Sequence, residues 1–281
     1  MERFVQRLDR AKKAIDEADY IVIGAGAGLS TAAGIDYGGE RHEKYFRDFI
    51  DRYGFTDMYS SAFYQFQTSE ERWAYWARHI FANRYDVGKT DVYTKLLKLV
   101  ENKDYFVITT NVEHQFWING FEDERIFATQ GDYGLLQCSK ACHDKLYENE
   151  ELVHELLENT VDCKVPSDLI PYCPVCGEEM EINLRKDNYF VEDNKWREMN
   201  RNYYDFLKKI DGKFVFLEIG VGFNTPTIIR FPFEQMTYNS DDATLIRLNL
   251  DYPQAIPENE DKTIGFDENV EEILDYWLSR I

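Results

Sequence analysis

YIVIGAGAGLSTAAGIDYGG, residues 20–39, runs from an apolar tetrapeptide into a glycine-rich turn. Tyr20-Ile21-Val22-Ile23 is long enough for a strand buried on both faces of a parallel sheet. Gly24, Gly26 and Gly28 follow, spaced by alanines, then Ser30 as a helix cap and the small residues Thr31, Ala32 and Ala33. A buried strand, a glycine turn and a helix start make a phosphate cradle, because bare backbone and free N–H groups can face a pyrophosphate. The stretch departs from the GxGxxG fingerprint, since Leu29 stands where the last glycine belongs, and no Gly-Lys-Ser/Thr follows to make a Walker loop. Two readings remain open at this point: a nucleotide cradle, or a tight turn packed against a sheet.

Composition narrows the class. A chain of 281 residues suits one large α/β domain, or a domain with a smaller one inserted, and 44% hydrophobic residues supply a core. A net charge of −20 argues against nucleic acid as a partner. No run of 18 apolar residues offers a membrane span. The first segment is too polar for a signal peptide and reads as an amphipathic helix with Phe4, Leu8, Ala11, Ile15 and Ala18 on one face. A cytoplasmic location is expected, and the five cysteines then read as metal ligands or free thiols.

Along the chain, residues 40–90 turn aromatic and charged. A helix capped by Ser69 would present Trp73, Trp76 and Ile80 at helical spacing, as core or as the wall of a ligand cleft. A second helix spans about Val92 to Glu101, and a last one about Glu268 to Arg280. Further strands are expected at Tyr105–Ile108, Phe127–Thr129, Phe214–Ile219 and Thr244–Leu248. Strands separated by helices or long connections predict a Rossmann-like, doubly wound parallel sheet, whose ligands bind outside the strands' carboxyl ends. Here those ends carry Gly24 to Ser30, Asn111, Gln130, Gly220 to Asn224, and Asn249.

Cys138-x3-Cys142 and Cys173-x2-Cys176 pair as a four-thiolate zinc set. A closed tetrahedral site has no open position and is structural. It would staple a small inserted domain of about residues 138–210. Cys163 is left over, and His143 or His154 could replace a cysteine.

Taken together, these residues resemble a sirtuin. Gly26-Ala27-Gly28-Leu29-Ser30 resembles the family's GAGxS, Ala33-Gly34-Ile35 its SGI, and Thr110-Asn111-Val112-Glu113 its QNID. Gln130-Gly131 stands at the catalytic His-Gly, Gly220-Val221-Gly222 at GTS, and Leu248-Asn249-Leu250 at INL. Three departures matter. Asp36-Tyr37-Gly38-Gly39 lacks the arginine and phenylalanine that cover bound cofactor. Gln130 cannot take up a proton near neutral pH as the family's histidine does. The segments that clamp an acyl-lysine peptide are reduced to a faint echo at Phe190–Asp193 and replaced at Gly222–Pro226.

Those departures resemble the macrodomain-linked, class M branch, which shares the TTNV-x-HQF and TQGDYG strings. The resemblance implies an NAD-dependent protein ADP-ribosyltransferase acting on a lipoylated, glycine-cleavage-H-like carrier in oxidative stress defence. A macrodomain hydrolase would work in the same pathway. It also implies a Rossmann-like part of about residues 1–38, 90–137 and 211–281, a helical module at 39–89 and a zinc module at 138–210. Ala25 to Ser30 and Ile35 would line the cofactor with Val112, and Glu113 would sit near the nicotinamide carboxamide. Asn111 would orient the nicotinamide ribose and Gln130 would hydrogen-bond a ribose hydroxyl. Gly220, Val221, Gly222, Asn249 and Leu250 would take the adenosine side. His114 is an alternative base, or a histidine bonded in a turn; Asp132 reads as an exposed rim. Deacylation, NAD hydrolysis and non-catalytic NAD sensing remain as rival activities.

Overall fold

The computed structural model describes residues 3–280. Its main sheet has six parallel strands: β1 (Tyr20–Ala25), β2 (Asp104–Thr109), β3 (Ile126–Ala128), β7 (Phe214–Ile219), β8 (Ala243–Leu248) and β9 (Thr263–Phe266). Their order is β3-β2-β1-β7-β8-β9. The chain therefore builds outward from β1 on one side, then returns to build outward on the other. The reversal between β1 and β7 is the switch point where such sheets open a ligand crevice.

Central strands covered on both faces need apolar residues at every position, not alternate ones. β1, β2 and β7 are buried at every position but the first, and they are apolar but for Asp104 and Thr109 at the ends of β2 and Glu218 in β7, whose buried carboxylate is paired with Arg230 and Arg247. One face is covered by α1 (Phe4–Glu17), α6 (Asp91–Val100) and α11 (Val270–Leu278), whose Leu8, Leu96 and Trp277 join Ile21, Val107 and Leu217. The other is covered by α9 (Asn194–Lys209) and α10 (Arg230–Tyr238), whose Phe206 and Phe233 join Val22 and Phe216. The short helices α2 (Ala27–Ala32) and α7 (Gln115–Ile118) follow β1 and β2.

A second, antiparallel sheet holds β4 (Gly131–Cys138) between β5 (Tyr147–Glu148) and β6 (Met180–Leu184). It begins at Gly131, upstream of the boundary expected after residue 137. With α3 (Gly39–Tyr53), α4 (Met58–Ser61), α5 (Ser69–Ile80) and α8 (Glu150–Glu158) it encloses a separate, aromatic-rich core. Trp73 and Ile80 belong to this core, so the aromatic stripe is packing.

Two local expectations need correction, and one main-sheet strand has no counterpart in the sequence reading. The α5 cap is Thr68, whose hydroxyl accepts the Glu71 N–H; the Ser69 hydroxyl instead bonds Glu179 at 2.7 Å. The cap of α2 is Gly26, and Ser30 lies inside the helix. β9 lacks the long apolar run of the inner strands, and only its structure reveals it.

Candidate active site

A cleft of about 750 Å³ opens at the carboxyl ends of β1, β2, β7 and β8. Gly26, Ala27 and Gly28 line it, with Asn111, Gln130, Gly220, Val221 and Gly222, and with Asn249 and Leu250. Segments far apart in the sequence thus converge at one place.

The glycines work differently from the sequence reading. A Cβ on Gly26 would fall 2.6 Å from the Gly220 carbonyl oxygen, and one on Gly28 2.6 Å from Gly220 Cα. Gly28 N–H donates to the Gly220 carbonyl and Gly26 N–H to that of Ile219, both at 3.0 Å. The first requirement is therefore that two cleft loops touch backbone to backbone, and the lining follows from that contact. Gly220 also sits at φ +62°, where a side chain is strained.

Ala25, Leu29, Ser30, Ile35, Val112 and Glu113 stand behind the lining. Ala25 and Leu29 are core residues. Ile35 is buried, and its N–H donates to the Ser30 carbonyl at 2.9 Å. The Ser30 hydroxyl donates to Glu113 Oε1 at 2.8 Å, and the Tyr93 hydroxyl to the same oxygen at 2.9 Å. Burial pushes the Glu113 carboxyl above its ordinary value, opposed by the Ser30 hydroxyl, by backbone N–H groups and by the Tyr93 hydroxyl. Asn111 joins this cluster: its Nδ2 donates to the Gly26 carbonyl at 3.0 Å and to the Tyr93 hydroxyl at 3.4 Å. One amide therefore links the end of β2 to the glycine loop.

Gln130 differs from its neighbours. Its backbone carbonyl accepts the Arg185 N–H at 3.0 Å, yet its side-chain Oε1 is buried and accepts nothing. Such an acceptor costs about 1–3 kcal/mol until a donor arrives. Next to it, Gly131 takes φ +98°, and a Cβ there would fall 1.9 Å from the Asn183 carbonyl oxygen. The Gln-Gly pair thus makes the crossing from one sheet to the other.

Asp132 changes meaning, and His114 keeps its turn reading. Asp132 is buried, not an exposed rim: its carboxylate accepts the Gly134 N–H at 2.7 Å and pairs with Arg84 and with His114 Nδ1. His114 caps α7 at φ +68° and stacks on Trp117 at 4.3 Å, as the turn reading expects. Sequence reasoning also missed Tyr59 of α4 and Asp251 and Tyr252 of the loop after β8, which line the cleft outside any motif. It missed Arg185 as well, which donates to the Thr129 carbonyl at 3.3 Å and lies 4.3 Å over the Phe190 ring.

The four cysteine sulfurs, Cys138, Cys142, Cys173 and Cys176, all lie within 4.8 Å of one another. The Cys138–Cys176 and Cys142–Cys173 separations are 3.5 and 3.6 Å. Tetrahedral zinc with Zn–S near 2.3 Å needs about 3.8 Å between sulfurs, so the set fits a closed structural zinc. His143 Nδ1 stands 3.0 Å from the Cys142 sulfur as a supporting contact. Cys163 lies outside the group.

No protein-family model matches the chain. Among curated proteins it is 35% identical to a Staphylococcus aureus protein ADP-ribosyltransferase over 276 residues, covering 98% of this chain and 88% of that one. It is 32% identical to a Fusarium oxysporum protein described as a probable bifunctional ADP-ribose hydrolase/ADP-ribosyltransferase, covering 92% of this chain but 45% of that protein. Among solved structures it resembles Sir2Tm bound to a propionylated peptide (TM-score 0.62, 18% identity, 97% and 98% of the two chains). It also resembles a Sir2–p53 peptide–NAD+ complex (TM-score 0.60, 18% identity, 97% and 98%). The chain belongs to the family of the Staphylococcus aureus protein ADP-ribosyltransferase, built on the sirtuin fold.

Proposed function

We propose that the protein transfers ADP-ribose from NAD to an acceptor protein, releasing nicotinamide. The observation that carries this reading is Gln130: a buried carboxamide oxygen with no partner, on the cleft wall, where the fold's deacylating members have a histidine base. A carboxamide can accept a hydrogen bond from a ribose hydroxyl but cannot take its proton near pH 7. That suits a reaction in which the C1′–nitrogen bond breaks, nicotinamide leaves with the bonding pair, and an acceptor nucleophile bonds C1′ directly. Deacylation needs a further deprotonation of the ribose, for which Gln130 is the wrong group.

Gly26, Ala27 and Gly28 would seat the pyrophosphate. Asn111, fixed by Gly26 and Tyr93, would orient the nicotinamide ribose. Glu113 stands one layer back and would act on the carboxamide end through Ser30 and Asn111's surroundings. Val221, Gly222, Asn249 and Leu250 would take the adenosine side. The names of both curated relatives support the transferase reading, and the second, with hydrolase and transferase in one chain, supports a functional link to an ADP-ribose hydrolase. The acceptor, on the sequence resemblance, is a lipoylated glycine-cleavage-H-like carrier in oxidative stress defence. The main sheet has its own hydrophobic clusters on its two faces, while the helical and zinc segments share a single one, which supports a Rossmann-like part and one composite small part; α9, within the expected zinc module, packs on the main sheet. No helix among the described residues is long and apolar enough to cross a membrane; a cytoplasmic location remains part of this proposal.

The test is NAD labelled in its ADP-ribose part, incubated with lipoylated and unlipoylated carrier. Wild type should label the carrier, and Asn111→Ala and Gln130→Ala should lower labelling at least ~100-fold. O-acyl-ADP-ribose formed from an acyl-lysine peptide, with no carrier labelled, would replace this reading with deacylation.

A further inference from the structure

A buried polar circuit beside the cleft starts and ends at Tyr37. The Tyr37 hydroxyl stands 2.9 Å from that of Tyr133, which stands 3.0 Å from His79 Nε2. His79 Nδ1 is 3.2 Å from the Tyr75 hydroxyl, and that hydroxyl donates to the Met58 carbonyl at 2.9 Å. The Met58 N–H closes the ring by donating to the Tyr37 carbonyl at 2.7 Å. Tyr75, His79 and Tyr133 are at most 5% exposed, so each meets its neighbours in the ring rather than solvent.

One atom sets the direction of every proton. A carbonyl oxygen only accepts, so the single hydroxyl proton of Tyr75 points at Met58. His79 Nδ1 must then carry a proton and donate it to the Tyr75 oxygen. Burial, with the Arg41 charge adding, keeps the imidazole neutral, so Nε2 is an acceptor. Tyr133 therefore donates to His79, and Tyr37 donates to Tyr133. Tyr37 is the terminal donor of a one-way chain.

The ring reaches the cleft at two places. Met58 precedes Tyr59, which lines it. The Tyr133 N–H donates to the Val112 carbonyl at 2.9 Å, between Asn111 and Glu113. Tyr37 itself lies in a segment with few anchors. Besides the ring, the Ile35 N–H is bonded to Ser30, and the Asp36 carbonyl accepts from Arg41 at 2.7 Å. Gly34 and Gly39 take φ +79° and +58°, and a Cβ on Gly34, Gly38 or Gly39 would meet nothing within 4 Å among the described residues. Backbone of this kind has much conformational freedom to lose on ordering.

We propose that Tyr37 is a positioning residue: its hydroxyl, ending the chain through Tyr133, His79 and Tyr75, holds the Gly34–Gly39 segment and the Tyr59 wall in the form that seats the dinucleotide. The inference rests on the proposed reading of the cleft as an NAD site. Because Tyr37 is terminal, removing its hydroxyl leaves every other bond of the chain in place. The loss falls on the segment, and affinity drops by the fraction of molecules in which the wall is formed.

Nitrogen NMR of the imidazoles, with His79→Gln to assign the signal among five histidines, should show a pyrrole-type Nδ1 and a pyridine-type Nε2 for His79. A proton on Nε2 would reverse the chain and overturn the circuit. Tyr37→Phe should melt within about 2 °C of wild type, yet bind ADP-ribose ~10-fold more weakly in calorimetric titration. Its KM for NAD in nicotinamide release should rise by a similar factor while kcat falls less than about twofold. Adding Tyr37→Phe to Tyr133→Phe should weaken binding no further. Unchanged affinity in Tyr37→Phe, or losses that add in the double variant, would overturn the role of Tyr37. Failure of wild type to bind ADP-ribose would overturn the NAD reading and the seating role together, whereas the His79 signals would still report the direction of the circuit.

Discussion

The two sides of the cleft are built to opposite rules. On the β1–β7–β8 side the polar atoms described are spoken for: Gly26 and Gly28 bond across to β7's end, Asn249 uses both ends of its amide, and Glu218 lies between two arginines. On the β4 side Gln130 keeps a buried acceptor with no partner. Satisfied groups hold shape, and an unsatisfied one in a cleft points at a ligand. The residues richest in motif therefore serve mainly as scaffold, and the contact is marked by a deviation.

The sides also rest on different foundations, and metal removal should separate them most sharply. The β4 sheet sits in the small aromatic core beside the cysteines, while β1, β7 and β8 belong to the large sheet. Stripping the zinc that the four cysteines would hold, with a strong chelator, or replacing Cys173 with serine, would remove a bond set of the kind that contributes about 10–16 kcal/mol in small zinc domains. Amide exchange should then rise across residues 131–184 while β1 and β7 stay protected. Uniform loss of protection would show that the two sides do not fold separately.

A smaller but still large effect is expected on the scaffold side. Gly220→Ala places a methyl 2.4 Å from the Gly28 backbone and at φ +62°. Overpacking and left-handed strain together should cost about 2–5 kcal/mol in urea unfolding and abolish ADP-ribose binding. A neutral result would break the account of two touching loops.

Acid should act on the β4 side through His79. Its Nε2 lies 3.0 Å from the Tyr133 hydroxyl, which meets the Tyr37 hydroxyl at 2.9 Å. Burial, with the Arg41 charge adding, pushes His79 down to about 3, while the unfolded chain titrates near 6.5. Between those values the unfolded state binds the proton and the folded state does not. Stability therefore falls as pH drops through that window, by up to ~1.4 kcal/mol per unit. From pH 6.5 to 5 the loss should be about 1.6 kcal/mol, and His79→Gln should flatten that slope. An unchanged slope in the variant would assign acid sensitivity elsewhere.

Much of this was legible in the chain. Buried strands announce themselves by unbroken apolar runs, and the cysteine pairs by spacing, because local chemistry fixes both. What stayed hidden depends on partners distant in sequence. Nothing local to Ser30 says that its hydroxyl turns inward to Glu113, and Asp132 looked exposed because Arg84 and His114 are invisible from it. β9 was missed because Thr263–Phe266 is short and its burial comes from its neighbours in the sheet. Asp251 sits in no motif and reaches the cleft only through the Asn249 turn.

The smallest expected effect on stability is the sharpest test of the contrast. Gln130→Met keeps the length of the side chain and removes a buried acceptor that has no partner in the free protein. Deleting an unsatisfied group should leave stability unchanged or raise it by up to about 1 kcal/mol, against the usual cost of a core substitution. The same variant should lose at least ~100-fold in nicotinamide release, because methionine offers the ribose hydroxyl no comparable acceptor. The matching change on the other side, Asn249→Leu, removes an amide whose Oδ1 takes two N–H groups and whose Nδ2 serves Val221. It should cost about 1–3 kcal/mol by leaving those partners unpaired. Opposite signs in the two variants would confirm that one amide is held for the ligand and the other for the fold; equal losses would mean that Gln130 has a structural partner in solution and that its free oxygen does not mark the reaction centre.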